Sequence, residues 1–445
     1  MFFKSAKSCV MKKVIYAALV NLLIAFLCAG CAQKKQFLQK SIDTSLSPIC
    51  QEDSKNEATA QICPVITARV FIHGTILAGY FFVDIPASWK DAHKENSLIE
   101  RAIAAARKHS FLYHTELVLE TGLVDVTHEI KVPLDHTLQD SRAAISILRI
   151  FERTNQSINQ TQQPVHYYTF GWSGALSERK RNNESQNLYQ ALIQLQKKLL
   201  AQYPGALIRF ELFGYSHGGQ LIAHLPIVHK QFPENRLFID LVVLCATPLY
   251  KEKIQPMVSS SLFGTIISLY SAGDMVQNMD FISTPQHFCV RNFQELGIPL
   301  PQKTAHGPTI LDICLSVHGN NRIFKHQNFF NYSIYAIPSH TRKRSYIKKT
   351  INFFDPLPLL ALFPAYYHGL KQTTFAPGFH QLAINFRHNQ DNLIVETHHL
   401  QTSCTWKHLY HIKPLSHNFL QEHKKRARKT IFNQFKHALY HLMHN

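Results

Sequence analysis

Short apolar runs separated by longer amphipathic ones set the rhythm of the first two thirds of the chain. Residues 68–73 (ARVFIH), 165–172 (VHYYTFGW), 207–213 (LIRFELF), 237–246 (LFIDLVVLCA) and 265–270 (TIISLY) read as strands. The fourth shows no alternation at all, the pattern of a strand covered on both faces in a parallel sheet. Residues 97–109 and 138–153 have helical spacing, the latter through Ala143, Ile147, Leu148 and Phe151. A longer helix is predicted over 177–202, with Leu188, Leu192, Leu195 and Leu199 on one face and Pro204-Gly205 as its stop. The rhythm then fails. From 275 to 414 the chain is broken by prolines from Pro285 to Pro377 and rich in aromatic and basic residues. Late strands are expected at 383–386, 393–397 and 408–412, the first two as a hairpin. A last helix follows, striped by Ala427, Ile431, Phe435, Ala438 and Leu442. The expected fold is α/β: a doubly wound, mostly parallel sheet, with 62–274 as its core. A long, lid-like insertion (275–414) precedes the final loop and helix (415–445).

Residues 1–61 stand outside that rhythm. Lys12 and Lys13 precede an apolar run, Val14 to Leu27, closed by Cys28-Ala29-Gly30-Cys31. A basic start, a short apolar segment and small residues before a cut site make a secretory signal, here 1–30. LCAGC resembles the lipobox of bacterial lipoproteins, with Cys28 where leucine is usual. The resemblance implies lipidation of Cys31, which becomes the first mature residue. Met11 gives a more typical signal length than Met1, so translation is expected to start at Met11. Polar residues 31–61 then read as a tether, and the expected location is the cell envelope, anchored through lipid. Ala32 is not the acidic residue that resembles an inner-membrane retention signal, which favours the outer membrane.

Cysteine and charge narrow the chemistry. Of nine cysteines, six lie beyond Cys31: Cys50, Cys63, Cys245, Cys289, Cys314 and Cys404. No C-x-x-C pair remains among them, so neither zinc nor thioredoxin-like chemistry has support, and no metal or organic cofactor is expected. Cys50 and Cys63 flank a polar stretch that a disulfide would close, whereas Cys245 reads as a buried thiol. The net charge is +18, or +14 once the four lysines of the signal are removed. Such a balance suits an anionic membrane surface as well as nucleic acid. No nucleic-acid module, P-loop or dinucleotide fingerprint accompanies it, so no nucleic-acid partner is expected. The run 423–429 (HKKRARK) reads as the solvated face of the last helix rather than a membrane-lying one.

The chemistry concentrates at Gly214-Tyr215-Ser216-His217-Gly218, where a strand turns directly into a helix. This is G-x-S-x-G in the context of a nucleophile elbow. The turn is so tight that Ser216 must adopt a strained backbone, and glycines are needed where neighbouring chain passes. Gly171-Trp172-Ser173-Gly174 is a partial imitation, with Ala175 where a second glycine belongs and a helix that starts several residues later.

On these residues the chain resembles the lipase and esterase branch of the α/β-hydrolase superfamily. The resemblance implies Ser216 as nucleophile. It also implies an oxyanion hole from the N–H of His217 and one from the loop after His73-Gly74, at Thr75 or Ile76. Asp274, after the second strand beyond the elbow, takes the place of the triad acid, with Asp280 as the runner-up. His417, in the loop before the last helix, takes that of the base, with His368 and His399 as alternatives. The implied activity is cleavage of carboxylic esters, an apolar or lipid ester above all, by a membrane-anchored serine hydrolase. The competing expectation is a catalytically inactive envelope lipoprotein of the same fold that binds lipid or a partner protein.

Overall fold

The computed structural model describes residues 64–74, 119–131, 143–158, 164–175, 177–274, 277, 289–300, 307–317, 319, 321, 359–371, 375–389, 392–399 and 410–412. All belong to one compact unit, Ile62–Asn445. The expected signal, Cys31, the tether, Thr75, the 97–109 helix and the last helix with His417 lie outside the described residues.

The five runs read from the sequence form strands β1 (Val65–Ile72), β3 (Val165–Gly171), β4 (Leu207–Tyr215), β5 (Ile239–Cys245) and β7 (Phe263–Tyr270). Short strand β2 (Gly122–Asp125) precedes β3, and β6 (Leu249–Tyr250) follows β5. The helices are α1 (Thr127–Lys131), α2 (Ala143–Ile158), α3 (Glu178–Gln202), α4 (His217–His229) and α5 (Lys251–Val258).

The stretch 275–414, expected as an insertion, instead supplies four strands to the same sheet. These are β9 (Thr309–Val317), β10 (Gly378–Asn389), β11 (Asn392–His399) and β12 (Tyr410–Ile412). It also supplies helix α6 (Phe363–Lys371) and the short β8 (Cys289–Val290), which pairs with β6. Residues 62–274 are therefore not a complete core. The strand missed in the sequence is β9, TILDICLSV, whose apolar run is interrupted by Asp312 and Ser316. The sheet accepts Asp312 because its Oδ2 takes the Phe293 N–H at 3.1 Å from the turn packed over it. The late hairpin is present, as β10 against β11.

The ten strands run β12-β11-β10-β9-β7-β5-β4-β1-β3-β2. From β3 to β10 every neighbouring pair is parallel, while β2, β11 and the β11–β12 pair are antiparallel. Helices cover both faces. Phe71, Phe213, Tyr215, Ile267 and Leu315 pack with Phe151 of α2 and Phe363 of α6. Val70, Leu212, Val242 and Ile266 pack with Leu192 of α3, Leu221 of α4 and Met257 of α5. Burial on both faces is the reason these strands lack alternation. It also brings the ends of seven parallel strands to one edge, where an open α/β sheet places its ligands.

Candidate active site

Ser216 stands between β4 and α4 with no loop residue on either side. Its φ is 51° and ψ −126°, a conformation that L-residues rarely adopt. Its N–H donates to Cys245 O at 2.8 Å, which ties the turn to the neighbouring strand. The glycines are explained by approach. A Cβ on Gly218 would lie 2.5 Å from His73 O, and one on Gly214 would lie 2.6 Å from the Gly219 Cα. His217 is the first residue of α4, where backbone N–H groups have no partner within the helix and the helix dipole is positive.

The His73-Gly74 loop meets this turn. A Cβ on Gly74 would come within 2.8 Å of the Ser216 Cβ. Thr75, the expected second donor, is the next residue and lies outside the described set. His73 itself is buried and held by its neighbours. Its Nδ1 is 2.6 Å from Gly74 O and must therefore carry the hydrogen. Its Nε2 accepts the Trp172 N–H at 3.2 Å, and Trp172 Nε1 donates to His73 O at 2.7 Å. The ring is thus neutral in one tautomer and organises the loop.

Asp274 follows β7 and is fully buried. Its Oδ1 accepts the Gln277 N–H at 3.4 Å. Burial pushes the Tyr215 hydroxyl well above its usual pKa, and the Asp274 charge adds to the shift. The residue before the nucleophile and the expected acid therefore share one electrostatic environment. Burial likewise pushes the Cys245 thiol up, which leaves it a buried, unreactive side chain.

Other expected residues are placed elsewhere. Ser173 has no positive φ, and α3 starts only at Glu178, so the imitation elbow is not one. His368 lines a small cavity with Arg69, Glu211 and Lys371 beneath α6. His399 ends β11, paired with Leu382 of β10, and that strand is five positions from β4 in the sheet order. His417 follows β12 by five residues. That strand is six positions from β4 in the sheet order, roughly 29 Å at the usual strand spacing. Five fully extended residues span about 17 Å.

The sequence reading did not single out His318. It is bonded to Val317, the last residue of β9, and β9 lies directly beside β7. His318 is itself outside the described residues, but its neighbours are anchored. The Gly319 N–H donates to Asn385 Oδ1 at 2.8 Å, and Asn321 O accepts from Ser271 Oγ at 2.8 Å. The signal in the sequence was a strand closed by His-Gly, the same ending as at 73–74, concealed by Asp312.

Among the described residues no group of three or more His, Cys, Asp or Glu is placed to hold a metal ion, and no helix is long and apolar enough to cross a membrane. Comparison with family models, with curated proteins and with solved structures finds no match to this chain.

Proposed function

We propose that the protein is a serine hydrolase that cleaves carboxylic esters through an acyl-enzyme on Ser216. The observation that carries this reading is the backbone of Ser216, strained at φ 51° between a central strand and a helix N-terminus. Strain of this kind costs on the order of 1–3 kcal/mol and persists where the surroundings enforce it, commonly at reactive groups. In the reaction, Ser216 Oγ attacks the ester carbonyl while a histidine takes its proton. The N–H groups of His217 and of the loop after Gly74 stabilise the oxyanion. The histidine returns the proton to the leaving alcohol, and water then releases the acid by the same path.

Asp274 is the acid of this reading, two strands from β4. His318 is its preferred base, the residue that follows the last one of β9, a strand next to β7 and three from β4, roughly 14 Å at the usual spacing. His417 serves as the base only if the chain after Ile412 reaches back across the five strands between β12 and β4. The α/β-hydrolase fold is part of the same proposal. It is supported by the parallel strands, the serine turn after a central strand, and the acid after the second parallel strand beyond it. The lipid anchor at Cys31 and an apolar ester substrate at a membrane extend the proposal.

Labelling of the mature protein by a fluorophosphonate tests it. The parent and Ser173→Ala are expected to label, and Ser216→Ala is not. His318→Ala is expected to slow labelling on the order of 1,000-fold, whereas His417→Ala leaves it within about twofold. A folded parent that stays unlabelled with and without detergent would sink the hydrolase reading in favour of a binding protein.

A further inference from the structure

The chain just past β5 is gripped from two sides. Four consecutive residues, Cys245 to Pro248, each give a backbone group to a different partner. On the side of the serine turn, Cys245 O accepts the Ser216 N–H at 2.8 Å, and Pro248 O accepts Gln220 Nε2 of α4. On the side of the acid, the Ala246 N–H donates to Leu269 O at 2.9 Å, and Thr247 O accepts Gln277 Nε2 at 2.8 Å. The backbone N–H of Gln277 is also the donor to Asp274 Oδ1, and Gln277 O accepts the Cys289 thiol at 2.8 Å. The Thr247 side chain lies directly over Gly219, in the first turn of α4.

The two glutamines are expensive choices. Gln220 and Gln277 are almost fully buried, yet the Oε1 atom of each has no hydrogen-bond partner among the described residues. A methionine fills nearly the same space without burying an unpaired acceptor, and burying one costs free energy. Only the amide N–H groups are used, and both are spent on adjacent carbonyls of one peptide segment. A requirement for fixed position explains the amides, whereas packing does not.

We propose that Gln277 is a positioning residue for Asp274, and that Thr247-Pro248 is the shared mount on which the acid turn and the serine helix are held. The inference rests on the reading of Ser216 and Asp274 as nucleophile and acid. Gln277 grips Thr247 O with its side chain and presents its own N–H to the carboxylate, so the carboxylate is referred to the same segment that Gln220 ties to α4. Loosening Gln277 lets the acid drift relative to the nucleophile without removing either group.

The experiment is a double-mutant cycle on the full mature chain, read as the rate constant of fluorophosphonate labelling beside thermal unfolding. Gln277→Met is expected to slow labelling about tenfold in the parent and to have almost no effect in the Asp274→Asn background, because its route to Ser216 runs through Asp274. Gln277→Asn keeps the amide with a shorter reach and covers the case in which Gln277→Met does not fold. The same dependence on Asp274 is expected of it. Equal slowing in both backgrounds, or lowered thermal stability with an unchanged labelling rate, would show a merely structural glutamine and overturn the inference alone. A folded parent that does not label overturns the hydrolase reading and this inference with it.

Discussion

Among the described residues two side-chain-bearing positions hold a positive φ: Ser216 at 51° and Ala246 at 50°. They stand just past the ends of adjacent parallel strands, β4 and β5. Each is held there by a backbone hydrogen bond into the next strand, Ser216 N–H to Cys245 O and Ala246 N–H to Leu269 O. Glycine would take Ala246's conformation without penalty, but the site holds alanine, and nothing in the structure explains that choice. Gly74 shows the converse, a position where the smallest side chain is required. Its Cβ would fall 2.8 Å from the Ser216 Cβ. Gly74→Ala is expected to leave the fold intact at a cost of about 1–3 kcal/mol. It should slow fluorophosphonate labelling tenfold or more, because the methyl group and the nucleophile compete for one space. Thermal unfolding beside labelling kinetics separates the two effects.

Helix α4 is the element on which the site is mounted, and its surroundings impose a pH dependence. His224, on α4, packs near Lys253 of α5 and Glu178 of α3. Burial first, and then the Lys253 charge, push its pKa down to about 4. Its Nδ1 has no hydrogen-bond partner among the described residues. In the unfolded chain the same ring titrates near 6.5. Between these values the unfolded state binds the extra proton, so stability is full above about 6.5 and is lost as pH falls toward 4. The slope from this one group reaches at most about 1.4 kcal/mol per pH unit. His224→Leu is expected to flatten the stability profile in that window, measured as denaturant midpoints from pH 4 to 7. An unchanged slope would place the acid sensitivity elsewhere.

At the scale of the whole molecule, charged residues lie within the sheet itself. Arg69 of β1 meets Glu211 of β4 at 2.6 Å, with Tyr167 of β3 and Glu152 of α2 beside them. Burial alone would push the Glu211 carboxyl up, but Arg69 outweighs it and holds the carboxyl below its ordinary pKa. Asp312 of β9 has no such cation among the described residues. Burial raises its pKa to about 8, against hydrogen bonds from Phe293 and Gln294 that favour the charge. The folded state therefore keeps this proton over a range where the unfolded chain, near 4, has released it. The stabilisation is full below about 4 and is lost as pH rises toward 8. Asp312→Asn is expected to remove that decline and to raise the melting temperature at pH 8 relative to the parent, with little change at pH 4. A parent whose melting temperature does not fall between pH 5 and 8 would contradict this.

The five central parallel strands up to Tyr270 were legible in the sequence because burial on both faces of a parallel sheet leaves continuous apolar runs, whereas β2, β6, α1 and α5 were not read from it. The serine turn was legible because its geometry admits glycine at so few alternatives that the spacing is itself the signal. So were the buried stripe of α3 and the late β10–β11 hairpin. What tertiary structure decided lies where a buried polar side chain is satisfied by a distant partner. Asp312 interrupts β9, and partners such as the Phe293 N–H, nineteen residues away, make that strand acceptable. With β9 concealed, the stretch after Asp274 read as an insertion, and the strand that ends just before His318 was not placed beside β7. The same holds for Gln277 and Gln220, ordinary polar residues in the sequence. Their hydrogen bonds reach 30 and 28 residues along the chain to the end of β5. Local pattern records how a residue meets water. Which carbonyl a buried amide finds is settled only when strands far apart in sequence become neighbours.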